Sequence, residues 1–97
     1  MISQDQLIKI YQDSSANLLL IDVRSPYEYN DRHIPGSVNI PIDELENRIN
    51  EIDKTRKIIT VCEHGVRSGI CEKFLKEKGY NAESLENGMS VWQGQVE

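Results

Sequence analysis

The sequence has few cysteines, no long apolar segment and no basic cluster, and each absence excludes a class of protein. Two cysteines among 97 residues do not form a disulfide framework. The longest apolar run covers residues 18–21, far short of the ~20 residues that span a membrane. The N-terminus lacks the basic and apolar segments of a signal peptide. We therefore expect a cytoplasmic protein that does not act at a membrane.

Net charge and length restrict the remaining classes. The net charge of −5 and the absence of a Lys/Arg cluster argue against nucleic-acid binding. Hydrophobic residues make up 38% of the chain and charged residues 28%, which is typical of a globular domain. No linker, internal repeat or low-complexity segment divides the chain. We therefore predict one domain that covers residues 1–97.

Strand-like and helix-like segments alternate along the chain. The apolar run at residues 18–21 shows no alternation with polar residues, which is typical of a strand buried on both faces, and residues 57–61 form a second run of strand-forming residues. Shorter strands are predicted at residues 37–40 and 80–85. Helical patterns begin at Ser3 and Ser25 and cover residues 42–52, 68–78 and 89–93. The alternation predicts an α/β domain with a mainly parallel sheet and helices on both faces.

The loop Cys62-Glu63-His64-Gly65-Val66-Arg67-Ser68 carries the strongest functional signal. It joins the strand predicted at residues 57–61 to the helix predicted at residues 68–78. Loop N–H groups and a helix N-terminus stabilise a thiolate at this position, and the thiolate is the nucleophilic form. Gly65 allows a tight loop, and Arg67 provides a permanent positive charge for an anionic substrate. We therefore predict that Cys62 is a nucleophile.

Three more polar residues are candidates for the rim of this site. Asp22 and Arg24 follow the first long strand and fall at the same carboxyl edge of the sheet as Cys62. They are predicted to support the loop by bonding to backbone or to each other, and the alternative is an ordinary solvated ion pair. His33 is predicted to hydrogen-bond to backbone and to hold the segment after the second helix.

The second cysteine is predicted to be structural. Cys71 falls on a face of the helix predicted at residues 68–78 that also carries Ile70, Phe74 and Leu75, and all four are expected to face the core. A buried cysteine behaves as a small apolar residue. The cysteines and histidines lack the Cys-x2-Cys and His-x3-His spacing of a metal site. We expect neither a metal nor a cofactor.

Three further motifs accompany the cysteine loop: LIDVRSPYEY at residues 20–29, HIPGSVNIP at residues 33–41 and LENGMSVW at residues 85–92. In this order, and together with the loop at residues 62–68, they resemble the motifs of a single-domain rhodanese, the thiosulfate sulfurtransferase-like domain. The chain departs from the family at Arg32 and Asn87, where glycine is common. Asparagine tolerates the left-handed conformation, so the second change is expected to cost little.

The resemblance implies a three-layer α/β/α sandwich around a five-stranded, mainly parallel sheet. It also implies a sulfurtransferase in which Cys62 accepts a sulfane sulfur, forms a persulfide and passes the sulfur to a thiophilic acceptor. Backbone amides of the loop would hold the outer sulfur. The residues implied to bind the substrate are Glu63, His64, Gly65, Val66, Arg67 and Ser68. The expected partners are a small anionic donor such as thiosulfate and an acceptor that is cyanide, a thiol or a protein.

Two other functions stay open at this point. A non-catalytic sulfur-carrier or protein-binding module has the same fold, although inactive members usually lose the nucleophile that this chain keeps. Phosphatases and arsenate reductases on this fold use a Cys-x5-Arg loop. The spacing from Cys62 to Arg67 is Cys-x4-Arg, and this shorter ring suits a single sulfur better than a tetrahedral phosphate.

Overall fold

Four strands and three α-helices alternate along the chain. The computed structural model describes residues 1–97, apart from the side chain of Ser14. The strands are β1 (Leu18–Asp22), β2 (Val38–Asn39), β3 (Lys57–Val61) and β4 (Ala82–Ser84). The α-helices are α1 (Gln4–Tyr11), α2 (Pro26–Asp31) and α3 (Val66–Glu77). Short 3₁₀ turns cover Ser14–Ala16, Ile42–Glu44, Ile49–Glu51 and Gly88–Val91. Among the described residues, no helix combines the length and the apolar character needed to cross a membrane.

The strands form one parallel sheet in the order β2-β1-β3-β4. The five-stranded sheet implied by the resemblance is wrong for this structure, in which Ile2 and Leu85 form only a single parallel bridge beyond the four strands. The Ile2 amide donates to the Ser84 carbonyl at 2.9 Å, and the Glu86 amide donates to the Ile2 carbonyl at 2.8 Å. The pairing stops there because Ser3 already caps α1. The chain therefore turns into a helix before a second residue can pair.

Side chains of the central strands pack into two separate cores, one on each face of the sheet. Ile21 and Ile58 belong to one core, which α3 covers with Leu75. Leu20 and Ile59 belong to the other core, which α1 covers with Leu7. Successive side chains of a strand point to opposite faces, so both long strands are buried on both sides, as the apolar run at residues 18–21 predicts for β1.

The helix boundaries follow local capping signals. Ser3 and Ser25 each accept a hydrogen bond from the amide three residues later, in capping boxes that start α1 and α2. Gly65 precedes α3 with a φ of 97°, and Gly79 follows it with a φ of 89°. Both values lie in the left-handed region, where glycine is favoured. The predicted helix starts at Ser3 and Ser25 are confirmed.

Two local predictions are wrong. Residues 42–52 form two 3₁₀ turns in place of one helix, although Leu45 and Ile52 are buried. The 3₁₀ period of three residues and the α-helical period of 3.6 residues both place these apolar side chains inward, so their spacing does not distinguish a 3₁₀ turn from an α-helix. Ile70 is 58% exposed, whereas it was expected in the core with Cys71. Ile70 lies one helical turn after Val66, which is also exposed, so both residues are on a side of α3 that is not packed against the sheet.

Candidate active site

The Cys62 sulfur lies at the carboxyl end of β3 and is surrounded by hydrogen-bond donors. Its side chain is 1% exposed. The Gly65 amide donates to Sγ at 3.0 Å, and the Ser68 amide donates to it at 3.3 Å. The Cys62 thiol donates to Ser68 Oγ at 3.4 Å. The loop therefore presents backbone dipoles and a hydroxyl to one sulfur atom, at the N-terminus of the twelve-residue helix α3.

Buried hydroxyl groups continue this network below the sulfur. Ser68 Oγ lies 2.6 Å from Ser84 Oγ. Thr60 Oγ1 donates to the Ser68 carbonyl at 2.9 Å. All three residues are fully buried. Sequence reasoning did not identify Thr60 or Ser84 as part of the site, and the available signal was a hydroxyl residue near the carboxyl end of each of the strands β3 and β4.

The motif at residues 85–92, called the C-terminal motif below, holds the backbone of the cysteine loop. The Met89 amide donates to the Cys62 carbonyl at 2.8 Å, and the Ser90 amide donates to the Glu63 carbonyl at 2.9 Å. A Cβ atom on Gly88 would lie 2.2 Å from the Cys62 oxygen and 2.6 Å from the Glu63 oxygen. No side chain fits at that distance, so the glycine lets the two segments approach. Asn87 adopts a φ of 63°, the left-handed conformation expected of it.

Asp22 and Arg24 form a buried ion pair next to this loop. Arg24 Nη2 lies 2.7 Å from Asp22 Oδ2, and Arg24 Nε donates to Asp22 Oδ1 at 2.9 Å. Arg24 also contacts Glu63 Oε1 at 3.3 Å and donates to the Arg32 carbonyl at 2.6 Å. Burial disfavours the charge on Arg24, but its hydrogen bonds with Asp22 and the negative charges of Asp22, Glu63 and Glu28 together outweigh burial and raise the Arg24 pKa. The pair is thus buried, not solvated, and it ties the loop to β1.

Arg67 is bound to a carboxylate from another element. Its Nη1 and Nη2 atoms donate to Glu28 Oε1 and Oε2 at 2.8 and 2.9 Å. These hydrogen bonds from Arg67 lower the pKa of Glu28 to about 2, because they favour its charged form. The loop cation that was expected to serve an anionic substrate is therefore already neutralised. Glu28 also belongs to the capping box that starts α2, and the sequence analysis did not predict its contact with Arg67.

The remaining predicted site residues lie at the mouth of the loop or farther away. His64 and Val66 are exposed, and Glu63 is partly exposed. The contacts of His33 lie elsewhere: its Nδ1 is 2.9 Å from the Tyr29 carbonyl oxygen, and its ring stacks on Tyr29 with centroids 3.9 Å apart. Its backbone exchanges two hydrogen bonds with Glu97. His33 thus holds the segment after α2, and none of these contacts reaches Cys62.

The second cysteine sits in an apolar environment. Cys71 is 2% exposed and packs in the core that α3 covers. Burial and the nearby negative charge of Cys62 raise the pKa of Cys71 to about 12. Both cysteines are free. Among the described residues, no three His, Cys, Asp or Glu side chains are grouped so that they could hold a metal ion.

Comparisons with known proteins give one consistent match. The family model "Rhodanese-like domain" matches residues 3–95. YrkF of Bacillus subtilis is 37% identical over 86 residues, which are 88% of this chain. The chain spans about half (46%) of the length of YrkF. The thiosulfate sulfurtransferase GlpE of Shewanella oneidensis is 30% identical over 92 residues, 94% of this chain and 89% of that protein. A rhodanese-related protein from Thermoplasma volcanium superposes with a TM-score of 0.91 at 29% identity, covering 99% of this chain and 95% of its own.

Proposed function

The chain belongs to the rhodanese-like domain family, and from this premise we propose that it is a sulfurtransferase that works through a persulfide on Cys62. One observation carries the proposal: the Gly65 and Ser68 amides converge on the Cys62 sulfur at 3.0 and 3.3 Å. A structural cysteine has no need of such donors, whereas a thiolate and a persulfide anion both need them.

The reaction divides into two sulfur transfers at Cys62. In the first, the Cys62 thiolate attacks the outer sulfur of the donor, the donor S–S bond breaks, and the leaving group departs with the electron pair. With thiosulfate as donor, sulfite leaves. In the second, an acceptor such as cyanide or a thiolate attacks the outer persulfide sulfur, and the bond to Sγ breaks. The Cys62 thiolate returns, and no external oxidant or reductant is needed.

The loop residues stabilise the negative charge in each state. The Gly65 and Ser68 amides donate to Sγ at the N-terminus of α3, and we expect the amides of residues 63–68 to hold the outer sulfur of the persulfide. The Ser68 hydroxyl lies within hydrogen-bond distance of Sγ and is held by Ser84. The ion pair of Arg24 with Asp22 and Glu63 keeps the start of the loop in place. These groups can therefore stabilise the negative charge of a thiolate and of a persulfide.

A sulfur-carrier module that delivers to another protein is the second candidate. It is favoured by exposed side chains with apolar surface next to Arg67 and Glu28 in the chain: Val66, in the loop, is 72% exposed, and Tyr27, which precedes Glu28, is 86% exposed. Exposed apolar side chains beside a reactive group suit contact with another molecule. Phosphate transfer is less compatible with the site, because Arg67 is bound to Glu28 and the ring from Cys62 to Arg67 is short.

Intact-mass measurement tests the proposed chemistry. The protein is exposed to thiosulfate or to an organic persulfide, and then to cyanide. We expect the wild type and Cys71→Ala to gain one sulfur atom that cyanide removes, and Cys62→Ser to gain none. Sulfur uptake that is unchanged in Cys62→Ser would contradict the proposal, as would the absence of uptake from every donor in the wild type.

A further inference from the structure

Both arginines beside Cys62 are already bound to carboxylates. Arg24 is buried against Asp22, with Glu63 as a second partner. Arg67 is the cation of the loop that solvent can reach, with 36% of its side chain exposed. Both of its terminal nitrogens are bonded to Glu28. A dianionic donor that enters the loop therefore meets no uncompensated positive charge on these two side chains.

We propose that Glu28 is a specificity-determining residue, which by holding Arg67 directs the site towards organic persulfides and away from oxyanion donors such as thiosulfate. The inference rests on the proposed sulfur transfer at Cys62. To bind Arg67, a thiosulfate oxygen must displace the carboxylate or lie close to its negative charge, and either cost weakens binding. An organic persulfide carries no sulfonate group, so it loses little when Arg67 is occupied.

The Glu28–Arg67 pair is held from both sides. Glu28 Oε1 also accepts hydrogen bonds from the Ser25 amide and the Ser25 hydroxyl, each at 3.1 Å. The bond from the Ser25 amide belongs to the capping box of α2, so the carboxylate is positioned by its own helix as well as by Arg67. The pKa of Glu28, about 2, keeps it ionised at every pH at which a sulfurtransferase would be assayed. Protonation therefore does not release Arg67.

The surroundings of the Glu28–Arg67 pair suit an organic persulfide donor. Tyr27 precedes Glu28 and is 86% exposed, and Val66 precedes Arg67 and is 72% exposed. Apolar surface thus borders the pair on both elements. In the reaction with an organic persulfide, the Cys62 thiolate attacks the terminal sulfur and the donor S–S bond breaks. The organic thiolate leaves with the electron pair and takes up the proton, so atoms and electrons balance.

The test compares two donors in the wild type and in Glu28→Gln. Glutamine keeps the oxygen that Ser25 needs, because Gln serves in a capping box as Glu does, but it removes the negative charge. The measurement is kcat/KM for transfer to cyanide, with thiosulfate or benzyl hydropersulfide as donor. We expect Glu28→Gln to raise kcat/KM for thiosulfate at least about fivefold, mainly through a lower KM, and to change the value for benzyl hydropersulfide less than about twofold.

Two further variants isolate the role of the pair. Glu51→Gln removes the same charge from a remote, exposed pair with Arg48, and we expect it to leave the donor preference unchanged. Adding Arg67→Ala to Glu28→Gln should remove the gain with thiosulfate. A gain that persists in the double variant, or an equal change for both donors, would overturn the inference while leaving the proposed sulfur transfer intact.

Inhibition of the wild type by sulfate provides a measurement that needs no variant at Glu28. With benzyl hydropersulfide as donor, we expect sulfate to inhibit only weakly, because Arg67 is occupied. Strong competitive inhibition that Arg67→Ala abolishes would show that Arg67 is open to oxyanions and would overturn the inference. If the wild type transfers sulfur from neither donor, the proposed function is overturned, and this inference with it.

Discussion

The two cysteines are nearly equally buried, at 1% and 2% exposed, but their surroundings differ in kind. The Cys62 sulfur accepts hydrogen bonds from the Gly65 and Ser68 amides at the start of α3. Cys71, inside the same helix, packs against apolar side chains, and its pKa is raised to about 12. Burial alone therefore does not decide the chemistry of a thiol, because local dipoles can compensate for lost hydration.

This comparison predicts opposite results for the two cysteine variants. Cys62→Ser should abolish sulfur transfer with the fold intact, since a hydroxyl group does not carry a sulfane sulfur. Cys71→Ala should keep activity and lose roughly 1 kcal/mol of stability, because it removes one small buried group. Steady-state transfer and chemical denaturation measure the two effects. In the native protein Cys71 should also be slow to alkylate, and a Cys71→Ala variant without turnover would make Cys71 a resolving thiol.

Gly88→Ala tests whether the surroundings of Cys62 depend on the C-terminal motif. The added Cβ would lie 2.2 Å from the Cys62 carbonyl oxygen, and the φ of 63° disfavours a side chain. We expect a loss of about 3 kcal/mol or more in the free energy of unfolding and a larger relative loss of activity than in Cys71→Ala. Denaturation curves and transfer rates measure both. Gly69→Ala, inside α3 with open space around it, is the matched control.

Ser68→Ala removes the hydroxyl beside the Cys62 sulfur and leaves the Ser68 amide in place. We expect transfer to fall roughly tenfold, the scale of one hydrogen bond to a charged group. Ser84→Ala removes the hydroxyl that contacts Ser68 but leaves the hydroxyl beside Sγ, so its effect on kcat/KM should be smaller. A larger loss in Ser84→Ala than in Ser68→Ala would mean that the network acts through packing and not through the sulfur.

The smallest expected effect concerns the pH dependence of stability at the rim of the Cys62 loop. The pKa of Glu28 falls from an ordinary value of 4.5 to about 2 in the folded protein. The contribution of the ionised Glu28 to the free energy of unfolding is therefore fully present above pH 4.5 and is lost as the pH falls towards 2. The difference in unfolding free energy between the wild type and Glu28→Gln should be constant above pH 4.5 and shrink as the pH falls from 4.5 to 2. Denaturant titrations between pH 2 and pH 7 measure this, and a difference that does not change with pH would contradict it.

Much of the fold and the position of Cys62 could be predicted from the sequence. The apolar runs that became β1 and β3, the caps at Ser3 and Ser25, and the loop that joins β3 to α3 are all local signals. Each depends on residues a few positions apart, because capping and strand burial act over that range. The short 3₁₀ turns and the exposed Ile70 were missed, because apolar spacing does not show which face of an element another element covers.

By itself the sequence determined the order of motifs, the parallel α/β architecture and the cysteine at the end of a buried strand. The tertiary structure alone decided what surrounds that cysteine. Arg67 meets Glu28 from 39 positions away, and Gly88 lies against the Cys62 carbonyl although the two are far apart in the chain. The physical reason is that a parallel sheet brings the carboxyl ends of its strands to one edge. At that edge, the hydrogen-bond partners of each loop residue and the space around it depend on the segments that the sheet places beside it.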